Sequence, residues 1–132
     1  MLTVTKPGPN RLDIDLSGQL DADAMRAGLE TLLAQSEGIS NGTMLYRIRD
    51  FELPTPGALA VEFAQMPQLF GLIGRFDKCA VLSDIGWLRK AAEIEGALFP
   101  GLEIKAFPLN DSTAAEAWLG RSGAEADENF PV

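Results

Sequence analysis

The chain has no histidine and a single cysteine, Cys79, so the commonest general base and the commonest metal ligand are missing from the start. Zinc chemistry has almost nothing to stand on. What remains is a handful of hydroxyls and carboxylates, chiefly Asp50, Thr55, Ser83 and Asp84. Ser83 and Asp84 follow an apolar run, at the point where a strand gives way to a helix, and open α/β sheets bind ligands at that end of their strands. Asp50 and Thr55 belong to the same edge, with Gly57 beside them and Trp87 able to stack on a ligand. These six residues form a candidate ligand or partner cleft. Neither serine chemistry nor sugar chemistry has support: Ser83 has no histidine to activate it and no G-x-S-x-G elbow around it, and the pair Asp50 and Glu52 lacks any sign of a sugar cleft. Gly71, Gly74 and Gly86 form no G-x-G-x-x-G, which removes a dinucleotide site. The expectation is a non-enzymatic chain with no catalytic residue, no metal and no cofactor. A plainer reading of the same residues is structural, since helices prefer Ser, Thr and Asp as caps and Trp ordinarily packs against a sheet.

The elements that must position these residues follow from period and punctuation. Leu2–Thr5 and Arg11–Leu16 read as a β-hairpin across Lys6-Pro7-Gly8-Pro9-Asn10. Within the second run Leu12, Ile14 and Leu16 alternate with Arg11, Asp13 and Asp15, the pattern of a strand with one wet face. Asp21–Glu37 carries apolar residues at helical spacing, with Asp21 and Asp23 at its dipole-favoured start, and ends near Gly38. Thr43–Arg49 reads as a strand in which Leu45 breaks the alternation. Thr55 before Pro56 is a helix cap followed by proline at the first helical position, and Pro67 should kink or divide the helix that follows. Phe76–Ser83 is a further strand, Ile85–Leu98 a helix, Leu102–Phe107 a strand and Asp111–Leu119 a last short helix capped by Asp111 or Ser112.

The order is β-β-α-β-α-β-α-β-α, which favours parallel right-handed crossovers. The fold expected is α/β: a mixed, mostly parallel sheet of about five strands with about four helices, mainly covering one face, because strands buried on both faces would lack the clean alternation seen here. If Asp13, Asp15, Arg47, Arg49, Glu103 and Lys105 share the other face, they can pair across strands. One segment exceeds what a single helical stripe requires: Phe63, Met66, Leu69, Phe70 and Ile73 are apolar almost without interruption. A partner subunit, a lipophilic ligand between this segment and the sheet, or a deeper core would each account for the surplus.

Composition bounds the rest. A chain of 132 residues, 46% hydrophobic and 23% charged, suits one domain over 1–120 with a flexible acidic tail over 121–132. A formal charge of −8 repels phosphate backbones and anionic lipid surfaces, so nucleic acid is not an expected partner. No apolar run approaches the roughly 18 residues of a membrane span, and the N-terminus lacks a signal pattern. The expected location is the cytoplasm, with Cys79 a reduced core thiol.

Several short strings, weak alone but ordered, carry a resemblance: Leu16-Ser17-Gly18, Asp50-Phe51 with Thr55-Pro56-Gly57-Ala58-Leu59, Ala80-Val81-Leu82-Ser83-Asp84 with Trp87-Leu88, Phe99-Pro100-Gly101 leading into Lys105-Ala106-Phe107-Pro108-Leu109, and Ala114 through Trp118-Leu119. In these the chain resembles the SpoIIAA-like family, related to the STAS domains of anti-sigma factor antagonists and sharing a fold with CRAL/TRIO (Sec14-type) lipid-binding domains. The resemblance implies a regulatory module that docks to partner proteins, sometimes switched by phosphorylation, or alternatively a carrier of a small lipophilic molecule. Two departures are plain. The regulatory pattern has a phosphorylatable serine where this chain reads Leu53-Pro54-Thr55-Pro56-Gly57, so only Thr55 is a candidate phosphosite, and Arg47 stands where family members tend to carry an acid. Self-association as a homodimer is the expected form of docking, through the start of the second helix and the Phe63–Ile73 segment.

Overall fold

The computed structural model describes residues 1–86, 88, 90 and 101–120. Strands β1 (Leu2–Gly8) and β2 (Arg11–Gly18) form the hairpin, helix α1 (Ala22–Gln35) leads to β3 (Gly42–Phe51), and helices α2 (Pro56–Ala64) and α3 (Met66–Ile73) lead to β4 (Phe76–Leu82). Strand β5 (Glu103–Phe107) and helix α4 (Ser112–Leu119) complete the described elements. The sheet runs β1-β2-β3-β4-β5. Only the hairpin pair is antiparallel; the other three pairings are parallel. Most of the helix expected over Ile85–Leu98, and the tail over 121–132, lie outside the described residues.

Register shows why the two faces differ. Leu12 pairs with Met44, Ile14 with Tyr46 and Leu16 with Ile48; Met44 pairs in turn with Cys79, and Cys79 with Ile104. Because side chains alternate along each strand, these residues share one face, and they form the main core with Met25, Leu29 and Leu32 of α1, Ala58 of α2 and Leu72 of α3. Thus α1, α2 and α3 all pack on this side. Such one-sided cover is what successive right-handed crossovers in one direction produce.

The opposite face is not left bare. Over β1, β2 and the end of β3 it carries the charged lattice expected from the alternation, but over β3 to β5 it presents Leu45, Ala80, Leu82 and Phe107, which α4 covers with Ala115 and Leu119. This accounts for Leu45. It breaks the period of its strand because α4 needs an apolar patch on what is otherwise the wet face, and Leu45 is 3% exposed.

Local signals set the helix boundaries. Asp21 accepts a hydrogen bond from Ala24 N at 2.8 Å to cap α1, and Thr55 accepts one from Ala58 N at 3.1 Å to cap α2. Proline sits in the first turn of both α2 and α3. Pro67 divides what would otherwise be one helix, because its ring cannot supply the N–H that a continuous helix needs there. The chain leaves α1 through Gly38, at φ +82°, a left-handed conformation that costs glycine nothing. At the start of β3, Gly42 is buried, and a Cβ there would fall 2.4 Å from Ile39 Cγ2.

Candidate functional site

The carboxyl edge of the sheet holds most of the polar residues singled out from the sequence. Asp50, next to last in β3, is the extra residue of a bulge, since Ser17 pairs with Arg49 and Gly18 with Phe51. Its φ of +48° is one that aspartate tolerates better than most residues. Ser83 and Asp84 follow directly on β4. Both do structural work there: Ser83, wholly buried, donates its N–H to Phe107 O at 3.0 Å and accepts from Ile85 N through Oγ at 3.1 Å. Asp84 accepts from Leu109 N at 3.0 Å, tying the exits of β4 and β5 together. Thr55, besides capping α2, donates its N–H to Leu20 O at 2.9 Å. Gly57 lies where α2 meets the start of α1, with Ala22 Cβ 3.4 Å from the position a Cβ would take. Trp87 lies outside the described residues. Thr55, Ser83 and Asp84 thus cap and tie the ends of the elements at this edge, and among its described residues none lines the cavity described next.

That cavity, of about 350 Å³, lies between α3 and the sheet. Met44, Tyr46, Cys79 and Ile104 line it from the strands, and Met66, Leu69, Phe70 and Ile73 from α3, with Glu62 of α2 beside them. Leu72 is the one buried residue of α3 and Ala58 the one buried residue of α2, with Val61 and Leu69 partly buried against the main core. Burial pushes the Cys79 thiol up to about 12, which keeps it protonated and unreactive at neutral pH.

The outer side of the same helices is apolar too. Phe63 is 77% exposed and Phe70 55%, with Leu53 and Leu59 also exposed. Between Leu53 and Gly74 the only charged residue is Glu62. A stretch with a single charge and exposed aromatics is unusual in a chain that carries a net charge of −8. Of the lipophilic segment read from sequence, Met66, Leu69, Phe70 and Ile73 face the cavity, whereas Phe63 points to solvent. The lining residues from the strands were not singled out from sequence, although their signal was present: Met44 and Tyr46 share a parity, and Cys79 and Ile104 lie in register with Met44.

On the wet face the expected charge pairs form. Arg49 meets Asp15 at 2.7 Å and Arg47 meets it at 3.7 Å. Arg11 Nη1 and Nη2 donate to the two carboxylate oxygens of Glu116 at 3.0 and 2.8 Å, fastening α4 to β2. Hydrogen bonding from Arg11, only partly offset by desolvation, holds the Glu116 carboxyl below its usual range. Burial works against the charge on Arg11, but its bonds to Glu116 and Asp13 prevail and raise it. Lys78 lies 5.1 Å from the ring centroid of Trp118 and donates to that residue's carbonyl at 3.1 Å. Among the described residues no group of three or more Cys, Asp and Glu side chains is placed to hold a metal ion, and no helix is long and apolar enough to cross a membrane.

Comparison with known proteins follows the same lines. No curated protein matches the chain. Among solved structures, an uncharacterized protein of the DUF3478 family with a SpoIIAA-like fold, from Shewanella loihica PV-4, matches with a TM-score of 0.68 at 16% identity, over 90% of this chain and 92% of that one. The Bacillus cell fate determinant SpoIIAA in its phosphorylated form matches with a TM-score of 0.48 at 19% identity, over 89% of this chain and 98% of that one. The family model described as SpoIIAA-like matches residues 11–120. That match over residues 11–120, on a chain whose described residues form a five-stranded, mostly parallel sheet with α1, α2 and α3 on one side and α4 on the other, makes this chain a member of the SpoIIAA-like family.

Proposed function

We propose that the chain is a non-enzymatic regulatory module that docks protein, in the first instance a second copy of itself, through the outer side of α2 and α3. The observation that carries this reading is the stretch from Leu53 to Gly74, charged only at Glu62, with Phe63 and Phe70 exposed upon it. Large exposed aromatics on an otherwise charged surface mark interaction sites, and such residues dominate binding energy where they are covered. The charged lattice on the opposite face suits solvent. Thr55, at the start of α2, is where a phosphate would act on such docking, because it would add charge at a helix N-terminus next to the docking face. A cytoplasmic location accords with the lone reduced thiol. The test is size-exclusion with light scattering on the full chain: a dimer at high concentration, lost in Phe63→Glu and Phe70→Glu, is expected. A monomer at every concentration, indifferent to both substitutions, overturns the reading.

A second reading, binding of a small lipophilic molecule, is favoured by the cavity between α3 and the sheet, with apolar side chains on both sides. Native mass spectrometry of freshly purified protein tests it. Added mass that is lost on denaturation supports it, and the bare chain alone under conditions that keep non-covalent ligands bound counts against it.

A further inference from the structure

We infer that the outer edge of β1 takes up an extended, basic segment of a partner protein as an added strand, a contact separate from the docking face on α2 and α3. The pairing of the hairpin dictates what this edge offers. Met1 donates its backbone nitrogen to Ser17 O and its carbonyl accepts from Ser17 N, and in an antiparallel ladder such doubly bonded pairs alternate with unbonded ones. Thr3 with Asp15 and Thr5 with Asp13 are therefore the bonded pairs that follow. Leu2 and Val4 turn their N–H and C=O groups the other way, toward the outer edge. Among the described residues β1 ends the sheet, and none supplies these groups a partner. Edge strands are ordinarily blunted by charge, proline or a bulge. Lys6, Pro7 and the irregularity after Thr5 do this for the second half of β1, and Glu103 and Lys105 stand on β5 at the other end of the described sheet. Leu2, Thr3, Val4 and Thr5 include none of these.

Beside that edge runs an apolar groove of about 310 Å³, lined by Leu2 and Val4 and by Ala24, Ala27, Gly28 and Thr31 of α1. Helix α1 comes close enough to form it because Gly28 has no side chain: a Cβ there would fall 2.2 Å from Leu2 Cδ2. Ala27 and Thr31 are exposed, and the Thr31 hydroxyl donates to Ala27 O at 3.0 Å, so this wall presents mainly apolar atoms. Side chains of an added strand alternate between faces. One set enters the groove and is best apolar, while the other lies beside Thr3 and Thr5. Main-chain bonds to Leu2 and Val4 supply affinity, and the groove supplies selection. Charge narrows the partner further. From Asp21 to Glu37 the chain carries four carboxylates against one arginine; that arginine, Arg26, is paired with Asp23 at 3.0 Å, and Lys6 donates to Glu37 O. A second copy would bring its own acidic α1 and eight further net negative charges to the same place, whereas a basic segment is attracted by both.

Hydrogen exchange followed by NMR on the full chain tests this, with an end-blocked hexapeptide of alternating valine and lysine as the probe. The peptide is expected to slow exchange at the Leu2 and Val4 amides, which are open without it, while the Thr3 and Thr5 amides stay protected throughout. Replacing its lysines by glutamates should weaken binding at least about tenfold, the ratio that about 1.4 kcal/mol produces. Methylating the valine nitrogens or the lysine nitrogens should abolish binding in one case and spare it in the other, because only one set faces β1. Val4→Pro removes an outward N–H and none of the bonds to β2, so it should weaken the peptide by a similar factor. Binding that leaves exchange at Leu2 and Val4 unchanged, binding that survives methylation of either set, or no binding up to the solubility limit of the peptide overturns strand addition. Equal affinity for the glutamate peptide overturns the charge selection. Protection of Leu2 and Val4 without any peptide overturns the choice of occupant: protection that grows with protein concentration assigns the edge to a second copy, and protection independent of concentration assigns it to the chain itself. The docking reading for α2 and α3 is decided separately, by Phe63→Glu and Phe70→Glu, so the two can fail independently.

Discussion

Arg11 and Glu116 stand 105 residues apart in the chain yet form a two-pronged pair, and this contact governs how α4 meets the sheet. The carboxylate is 49% exposed, so solvent screens it and its contribution belongs with surface pairs, at about 0.5–1 kcal/mol. Its pH dependence has a definite sign. Because Arg11 lowers the folded-state pKa of Glu116 below its ordinary 4.5, the stabilisation is complete above that value and disappears as pH falls through the folded-state pKa. Glu116→Gln should therefore weaken the protein against urea at pH 7 and do so progressively less as the pH falls through the folded-state pKa, where the wild-type side chain also loses its charge. A loss that stays the same across the whole acid range would trace the effect to packing and not to charge. Cys79 gives a second expectation at this scale: with its thiol buried and its pKa near 12, it should resist disulfide-exchange reagents at pH 8 in the native protein and react at once when urea unfolds it. Rapid labelling of the folded chain would mean that the cavity opens far more readily than its lining suggests.

At the scale of elements, most boundaries could be read from sequence because they depend on neighbours along the chain. Thr55 and Pro56 announce the start of α2, and the structure gives Thr55 the capping bond to Ala58 N. Thr55→Ala should cost about 1 kcal/mol, and Thr55→Ser should recover most of it; thermal denaturation of the two variants checks the pair. A loss that serine does not recover would point to the methyl group instead of the hydroxyl. Pro67 announced a break, and the division between Ala64 and Met66 is that break. The strand alternation in Arg11–Leu16 likewise fixed which side faces the main core. What depends on distant contacts was not legible in the same way. Leu45 looked like an irregularity until α4 was seen over it, and Glu116 carried no sign that its partner was Arg11. Asp50, Ser83 and Asp84 were visible as polar residues at the strand ends. Whether such residues bond a ligand or their own backbone depends on loop geometry, and for Ser83 and Asp84 the bonds formed are to Phe107, Ile85 and Leu109. The cavity was legible only in part: the apolar surplus of Phe63–Ile73 allowed a space between that segment and the sheet as one option of three, but whether the space exists depends on how the helices pack on the strands, which residue spacing does not encode.

For the whole molecule, the distribution of charge sets the terms of association. Eight net negative charges repel any second copy, while the docking face proposed here contributes only Glu62 between Leu53 and Gly74. Attraction in such a dimer comes from covering Phe63 and Phe70 and is short-ranged; repulsion comes from the rest of the surface and is screened by salt. The two respond differently to ionic strength. Screening length falls from about 30 Å at 0.01 M to about 10 Å at 0.1 M, so added salt removes the repulsion and leaves the apolar contact in place. Sedimentation equilibrium in 0.02 M and 0.3 M NaCl should then show self-association strengthening several-fold with salt, and Phe63→Glu should abolish it at both concentrations. An interface made instead by the lattice of Asp15, Arg47 and Arg49 on the opposite face would weaken with salt, because its attraction is itself electrostatic. The direction of the change thus identifies which face of the sheet the second copy meets, and a dimer that loosens in salt places it on the side away from α2 and α3.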